Sequence, residues 1–214
     1  MSDNNIKVDF WFDPFCPWAW ITSRWLTEVQ QYRDVTVDFH FAALAIIDED
    51  DPPKFLKIPE ISSKVWLALR VVAETDRSYS SADLTKLYAA LGGKIHGGKN
   101  LSIMDILNKD IAGFVVDSVA EAGLPSSILD TPDSPELDAA IRASIDRGLR
   151  APGAIAGVPT LHINGVPFFG PVLSAIPRGH AAVRLWDAVA TVAAHPDFWE
   201  LKRQQPDDLA PITS

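Results

Sequence analysis

The sequence predicts an α/β fold in which a long helical segment interrupts a smaller unit of strands and helices. Three observations carry that expectation. Residues 6 to 41 read strand, helix, strand; residues 59 to 148 show helical spacing and no convincing strand; and Asn164-Gly165 sits between two short alternating runs, a strong hairpin signal.

Taken in order, Ile6 to Phe12 alternates and is rich in Val, Phe and Trp, as a half-buried strand does. It runs into Asp13-Pro14-Phe15-Cys16-Pro17-Trp18-Ala19-Trp20. Pro17 suits a first helical turn, where its missing N–H removes no bond. Ile21, Trp25, Leu26 and Val29 then share one helical face to about Gln30, with Ser23, Arg24, Glu28 and Gln31 largely outside it. Arg33-Asp34 marks a turn. Val35, Val37, Phe39 and Phe41 alternate with Thr36, Asp38 and His40, giving a second strand. Asp48 to Pro53 is acidic and proline-rich, the composition of a solvated loop.

Ile61, Val65, Leu69 and Val72 open the helical segment. Ser80-Ser81-Ala82-Asp83 reads as a helix start, followed by Leu84, Leu87, Tyr88 and Leu91. Gly92-Gly93 and Gly97-Gly98 bracket Lys94-Ile95-His96 and predict a loop there. Ser102, Ile103, Ile106 and Leu107 resume the helical pattern, and Ala122-Gly123-Leu124-Pro125 ends it. Pro135 to Gly148 is a last helix of this segment, with Leu137, Ile141 and Ile145 on one face. The hairpin strands are Thr160–Ile163 and Val166–Phe169, headed by Pro159. Ile176-Pro177-Arg178 opens a final helix that Pro196 ends, and Trp199 and Leu201 are expected to dock a short last turn. Residues beyond about Gln205 read as a tail.

The net charge of -9 argues against nucleic-acid and anionic-membrane partners, whose surfaces demand clustered Lys and Arg. No apolar run is long enough to span a bilayer, and the N-terminal residues lack the features of a secretory signal. The five histidines are scattered and support no metal site, and no glycine-rich fingerprint supports a bound nucleotide or flavin. A single unpaired cysteine suits a reducing compartment, so the expected location is the cytoplasm.

That cysteine, Cys16, is the leading candidate for chemistry. A strand that delivers a thiol to a helix start places it beside unpaired N–H groups and the positive end of the helix dipole. Both stabilise a thiolate, so the arrangement predicts a depressed pKa and a nucleophile near neutral pH. The competing reading is a small buried apolar side chain. The fourth position of the motif is Ala19 rather than a second cysteine, so no intramolecular disulfide can form and only a mixed disulfide is available. His40, with parity opposite to its strand's apolar set, is expected to face solvent or the sheet edge rather than serve Cys16 as a base. His96 is expected to be a loop residue.

Phe10-Trp11-Phe12-Asp13-Pro14, Cys16-Pro17-Trp18, Trp20-Ile21-Thr22-Ser23-Arg24-Trp25, Phe168-Phe169-Gly170-Pro171-Val172-Leu173-Ser174 and Leu185-Trp186-Asp187 resemble the DsbA family of the thioredoxin superfamily. Within it they are similar to the actinobacterial mycothiol-dependent nitroreductase group. The resemblance covers nearly the whole chain. It implies a discontinuous thioredoxin-like domain of residues 1–47 and 150–214, interrupted by an α-helical insertion domain of residues 48–149. It implies an oxidoreductase with Cys16 as the attacking thiol in the motif Pro17, Trp18, Ala19, and with Phe15, Val158, Pro159 and Thr160 at the thiol-binding site. Pro159 would be cis, opposite Cys16, with the Val158 backbone available to a substrate. Mycothiol would be the low-molecular-weight co-substrate and a mycoredoxin-like protein the redox partner, with the chain a monomer or homodimer. The group carries its second cysteine where this chain has Ala19, which is either natural to a monothiol relative or an introduced Cys→Ala change. Two other readings share the residues: a kappa-type glutathione transferase or hydroxychromene-carboxylate isomerase that binds a thiol cofactor, and a redox-inactive binding module.

Overall fold

The computed structural model describes residues 5–47, 54–98, 103–130, 135–204 and 211. The acidic run at Asp48–Pro53, Ser102 and most of the tail beyond Gln205 lie outside these residues. Strand β1 (Ile6–Phe12), helix α1 (Pro17–Val29) and strand β2 (Val35–Phe41) form the expected first unit, with β1 and β2 parallel. Helices α2 (Leu44–Ile47), α3 (Pro59–Ser78), α4 (Ser81–His96), α5 (Ile103–Leu107), α6 (Ile111–Glu121) and α7 (Pro135–Leu149) follow. Strands β3 (Thr160–Ile163) and β4 (Val166–Phe169) form the hairpin, and α8 (Gly179–Ala193) closes the described elements. The sheet order is β2-β1-β3-β4, with β3 antiparallel to both neighbours. This is a DsbA-like thioredoxin fold with the helical insertion between β2 and β3.

Period-two patterning sends Val8, Phe10 and Phe12 to one face of β1, all fully buried. There Phe12 stacks on Tyr88 of α4 with ring centroids 3.8 Å apart. Trp11 faces the other way, between His40 and His162, each with centroids 4.5 Å from it. Its indole N–H donates to the Ser144 carbonyl of α7 at 3.1 Å, over Gly148, where any Cβ would overlap the ring. The insertion also covers the outer edge of β2. The Phe39 N–H donates to Ser81 Oγ at 3.3 Å, Ser144 Oγ–H donates to the Phe41 carbonyl at 2.7 Å, and the Asp76 carboxylate takes the Phe41 N–H. An edge strand is thereby closed to further pairing.

Four expectations need correction. Gly92-Gly93 do not flank a loop, since α4 runs on to His96. A Cβ at Gly92 would lie 2.5 Å from the Trp20 ring, so this glycine is a packing seat inside a helix. Ser23, placed off the apolar face of α1, is fully buried along with Thr22, because α4 and α8 cover α1 on more than one side. Trp25 of α1 meets Trp186 of α8 and donates its N–H to the Ala182 carbonyl at 3.0 Å. Helix α8 begins at Gly179 rather than Ile176, its first N–H received at 3.0 Å by Glu28 of α1. Finally, Trp199 and Leu201 dock no turn; they are 81% and 87% exposed.

Candidate active site

Between β1 and α1 the chain makes a tight buried turn. The Cys16 N–H donates to the Asp13 carbonyl at 3.0 Å. The Asp13 side chain folds back to receive the Phe15 N–H at 2.8 Å, the habit of Asp in turns. Its second oxygen receives the Leu44 N–H at the start of α2, also at 2.8 Å. His96 Nε2 donates to the Pro14 carbonyl at 2.9 Å, the direction fixed because a carbonyl only accepts. The sequence did not single out Asp13 for this site, and it read His96 as a loop residue. Three residues from the thiol, Asp13 carried a usable signal in its Asx-turn chemistry. His96 carried none, because α4 brings it in from 82 positions away.

Cys16 is the N-cap of α1, extended in backbone, with Pro17 at the first helical position. Its sulfur is buried, and the thiol points at the Val158 carbonyl, 3.7 Å away. The Val158–Pro159 bond is cis. Its surroundings are braced: the Gly170 N–H donates to the Pro159 carbonyl at 2.8 Å, and Thr160 Oγ–H donates to the Gly157 carbonyl at 2.8 Å. Gly157 has φ +142 and would put a Cβ 2.8 Å from the Phe169 ring, so glycine is required there. Thr22 Oγ–H ties α1 to the Pro171 carbonyl at 2.8 Å. Phe15, Ala19, Val158, Pro159 and Thr160 are buried, while Pro17 and Trp18 are half-buried. Of the sequence-predicted residues, Val158, Trp18 and Ala19 meet the Cys16 sulfur through their backbones, while Thr160 turns its hydroxyl to the Gly157 carbonyl.

His40 lies elsewhere. It bonds Asp9 Oδ1 at 2.9 Å and stacks on Trp11, on the face toward α7. It also lines a cavity of about 450 Å³ with Asp76, Arg77 and Arg147.

The electrostatics overturn one expectation. Burial pushes the Cys16 thiol up to about 12 instead of letting it fall. The Ala19 and Trp18 N–H groups favour the thiolate, as the helix-start argument requires, but desolvation outweighs them, and the Asp13 carboxylate adds to the rise. Asp13 is itself raised to about 6 by burial, against the two N–H groups that favour its charge. His96 is lowered to about 4 by burial. Burial therefore favours the protonated thiol at this site. Among the described residues, no group of three or more His, Cys, Asp or Glu is placed to hold a metal, and no helix is long and apolar enough to cross a membrane.

A protein of Mycobacterium tuberculosis (strain ATCC 25618 / H37Rv), described as uncharacterized protein Rv2286c, is 34% identical over 206 residues, covering 94% of this chain and 84% of that one. A crystal structure from Nitrosomonas europaea, provisionally described as a protein disulfide isomerase, matches at 16% identity and TM-score 0.50, covering 88% of this chain and 98% of that one. The reduced disulfide bond oxidoreductase DsbG of Mycobacterium tuberculosis matches at 19% identity and TM-score 0.48, covering 89% and 87%. The Rv2466c-like family model, described as mycothiol-dependent nitroreductase Rv2466c, matches residues 15–203, which takes in Cys16 and the cis-proline loop. The chain belongs to this Rv2466c-like, mycothiol-dependent nitroreductase family.

Proposed function

We propose that the chain is a thiol–disulfide oxidoreductase acting through Cys16 alone and linked to mycothiol. The observation that carries this reading is the placement of the sulfur at the N-terminus of α1, 3.7 Å from the Val158 carbonyl of the cis-Pro159 bond. When a substrate enters, its own dipoles and water relieve the desolvation that keeps Cys16 protonated, and the proton leaves to solvent. The thiolate attacks one sulfur of RS–SR′. The S–S bond breaks, Cys16–S–S–R forms, and R′S⁻ departs. The Val158 carbonyl, no longer facing an S–H, is then available to an N–H of the bound group. With Ala19 in place of a resolving cysteine, a second thiolate must come from outside. Mycothiol or a mycoredoxin-like protein attacks the adduct, frees Cys16 and carries R away. With a nitro acceptor, Cys16 and one mycothiol together give the two electrons and two protons that yield a nitroso product and water, leaving the same mixed disulfide.

In this reading residues 1–47 and 150–214 are the thioredoxin-like domain, residues 48–149 are the insertion domain, and the monomer or homodimer works in the cytoplasm. Phe15, Trp18, Val158, Pro159 and Thr160 line the thiol-binding groove, with Pro17 and Ala19 setting the helix start. The test is intact mass after incubation with oxidised mycothiol. We expect one adduct on Cys16, absent in Cys16→Ser and removed by a mycoredoxin. A thiol that alkylates but never takes mycothiol would sink the reading.

One observation favours a second reading. A thiol held near 12 suits a protein that binds a thiol cofactor and activates that sulfur instead, in the manner of a kappa-type transferase or an isomerase. Isomerase activity that survives Cys16→Ser would select it.

A further inference from the structure

We propose that Asp13 is a positioning residue of the thiol site: its carboxylate pins the Cys16-bearing turn to α2, and its charge governs how readily the thiol ionises. The inference deepens the oxidoreductase reading and rests on Cys16 being the reacting group.

The geometry comes first. Asp13 is 3% exposed, and both of its carboxylate oxygens receive backbone N–H groups at 2.8 Å. One donor, Phe15, lies inside the thiol turn; the other, Leu44, lies 31 positions along, beyond β2. The same residue's carbonyl receives the Cys16 N–H. Asp13 therefore fixes the turn at three points, and no other side chain in the site touches both the turn and α2 in this way among the described contacts. A neutral, apolar residue would leave two buried N–H groups without acceptors. A serine reaches only one of them.

The Asp13 charge also acts on the thiol. Two backbone N–H groups compensate the carboxylate only in part, since its pKa stays near 6. Around neutral pH a buried negative charge thus stands close enough to Cys16 to raise its pKa. The titratable groups that share this surround are Cys16 on α1 and Tyr88 on α4, with His96 at the Pro14 carbonyl. Arg24 acts on Tyr88, and Lys109 acts on His96. Helix α2 presents no titratable side chain. Protonation of Asp13 removes a like charge from beside the thiol and so favours the thiolate. The carboxyl and the thiol are coupled: charging one opposes charging the other.

The experiment is the pH profile of Cys16 alkylation by iodoacetamide in the intact protein, for wild type, Asp13→Asn and Asp13→Glu. Asp13→Asn removes the charge and keeps one acceptor. We expect its alkylation to run about threefold to tenfold faster than wild type at pH 8, as a like charge is removed from beside the thiol. Asp13→Glu keeps the charge and disturbs the geometry, and is expected to lack that gain. Equal acceleration in both variants would show a merely loosened turn and overturn the proposal, as would an unchanged profile in Asp13→Asn. Should Asp13→Asn not fold, the wild type alone decides. Its log-rate profile should flatten around pH 6, where Asp13 titrates, and a uniform rise through that window would overturn the proposal. Adduct formation with oxidised mycothiol, measured in parallel, keeps the two readings apart. Alkylation profiles report on Asp13 even if no adduct forms.

Discussion

Two turns end strands of the same sheet and are held in opposite ways. Asn164-Gly165, between β3 and β4, has φ of +49 and +85 and joins neighbouring strands. Its residue types suffice for a two-residue hairpin turn, and the bonds that Asn164 makes with Lys7 of β1 only add to that. Asp13–Cys16, between β1 and α1, is buried and depends on partners 31, 82 and 142 positions away. A turn fixed by its own backbone preferences tolerates its surroundings. A turn fixed by distant polar groups in a buried site takes on their titrations, and that is how a structure can give its thiol a context that the local motif does not.

The largest test of this contrast is stability against pH. His96, lowered to about 4, remains neutral in the fold while an unfolded His takes a proton at about 6.5. Stability from His96 is therefore lost as pH falls from 6.5 to 4. Asp13, raised to about 6, binds its proton in the fold before the unfolded Asp does at 3.8. Its contribution therefore improves as pH falls through the same window. Each shift corresponds to about 3 kcal/mol, so the two nearly cancel in the wild type. Urea unfolding at pH 4 and pH 7 should show His96→Asn gaining about 3 kcal/mol relative to wild type on acidification and Asp13→Asn losing about as much. Parallel curves for all three proteins would mean that the turn does not hold these groups as described.

Next in size is a pair of adjacent glycines in α4. Gly92→Ala pushes a Cβ against Trp20, whose ring stacks near His96, and should cost about 1–3 kcal/mol. Gly93→Ala meets nothing within 4 Å and should stabilise the helix by about 0.5–1 kcal/mol. Thermal melts of the two variants moving the same way would break the packing account of Gly92.

The smaller expected cost lies at the other turn. Gly165→Ala, at φ +85, should lose about 1 kcal/mol. Alkylation of Cys16 should keep its wild-type rate in this variant; a changed rate would show that the hairpin and the thiol turn are not independent.

Local pattern was enough for much of the molecule. The alternation in Ile6–Phe12 and Val35–Phe41 and the apolar faces of α3, α4 and α7 reach the core that their spacing implies, and the hairpin forms around Asn164-Gly165 with β3 buried and β4 largely outside the core. Periodicity reports burial on one side of an element. It cannot report a second cover, so Ser23 was misplaced, and it read Gly92-Gly93 as breakers when one of them seats an indole. The cap of α8 comes from Glu28, 151 positions from the N–H it receives, and no window of sequence contains both.

By itself, then, the sequence determined the elements, their order and the place of one thiol at a helix start, because these follow from backbone preferences and apolar spacing within a few residues. Tertiary structure alone decided that the thiol is buried and its pKa raised, that Asp13 and His96 stand at its turn, and that His40 does not. The physical reason is that desolvation and charge depend on everything that surrounds a group in space, and at Cys16 the surround outweighs the helix terminus on which the local motif relies.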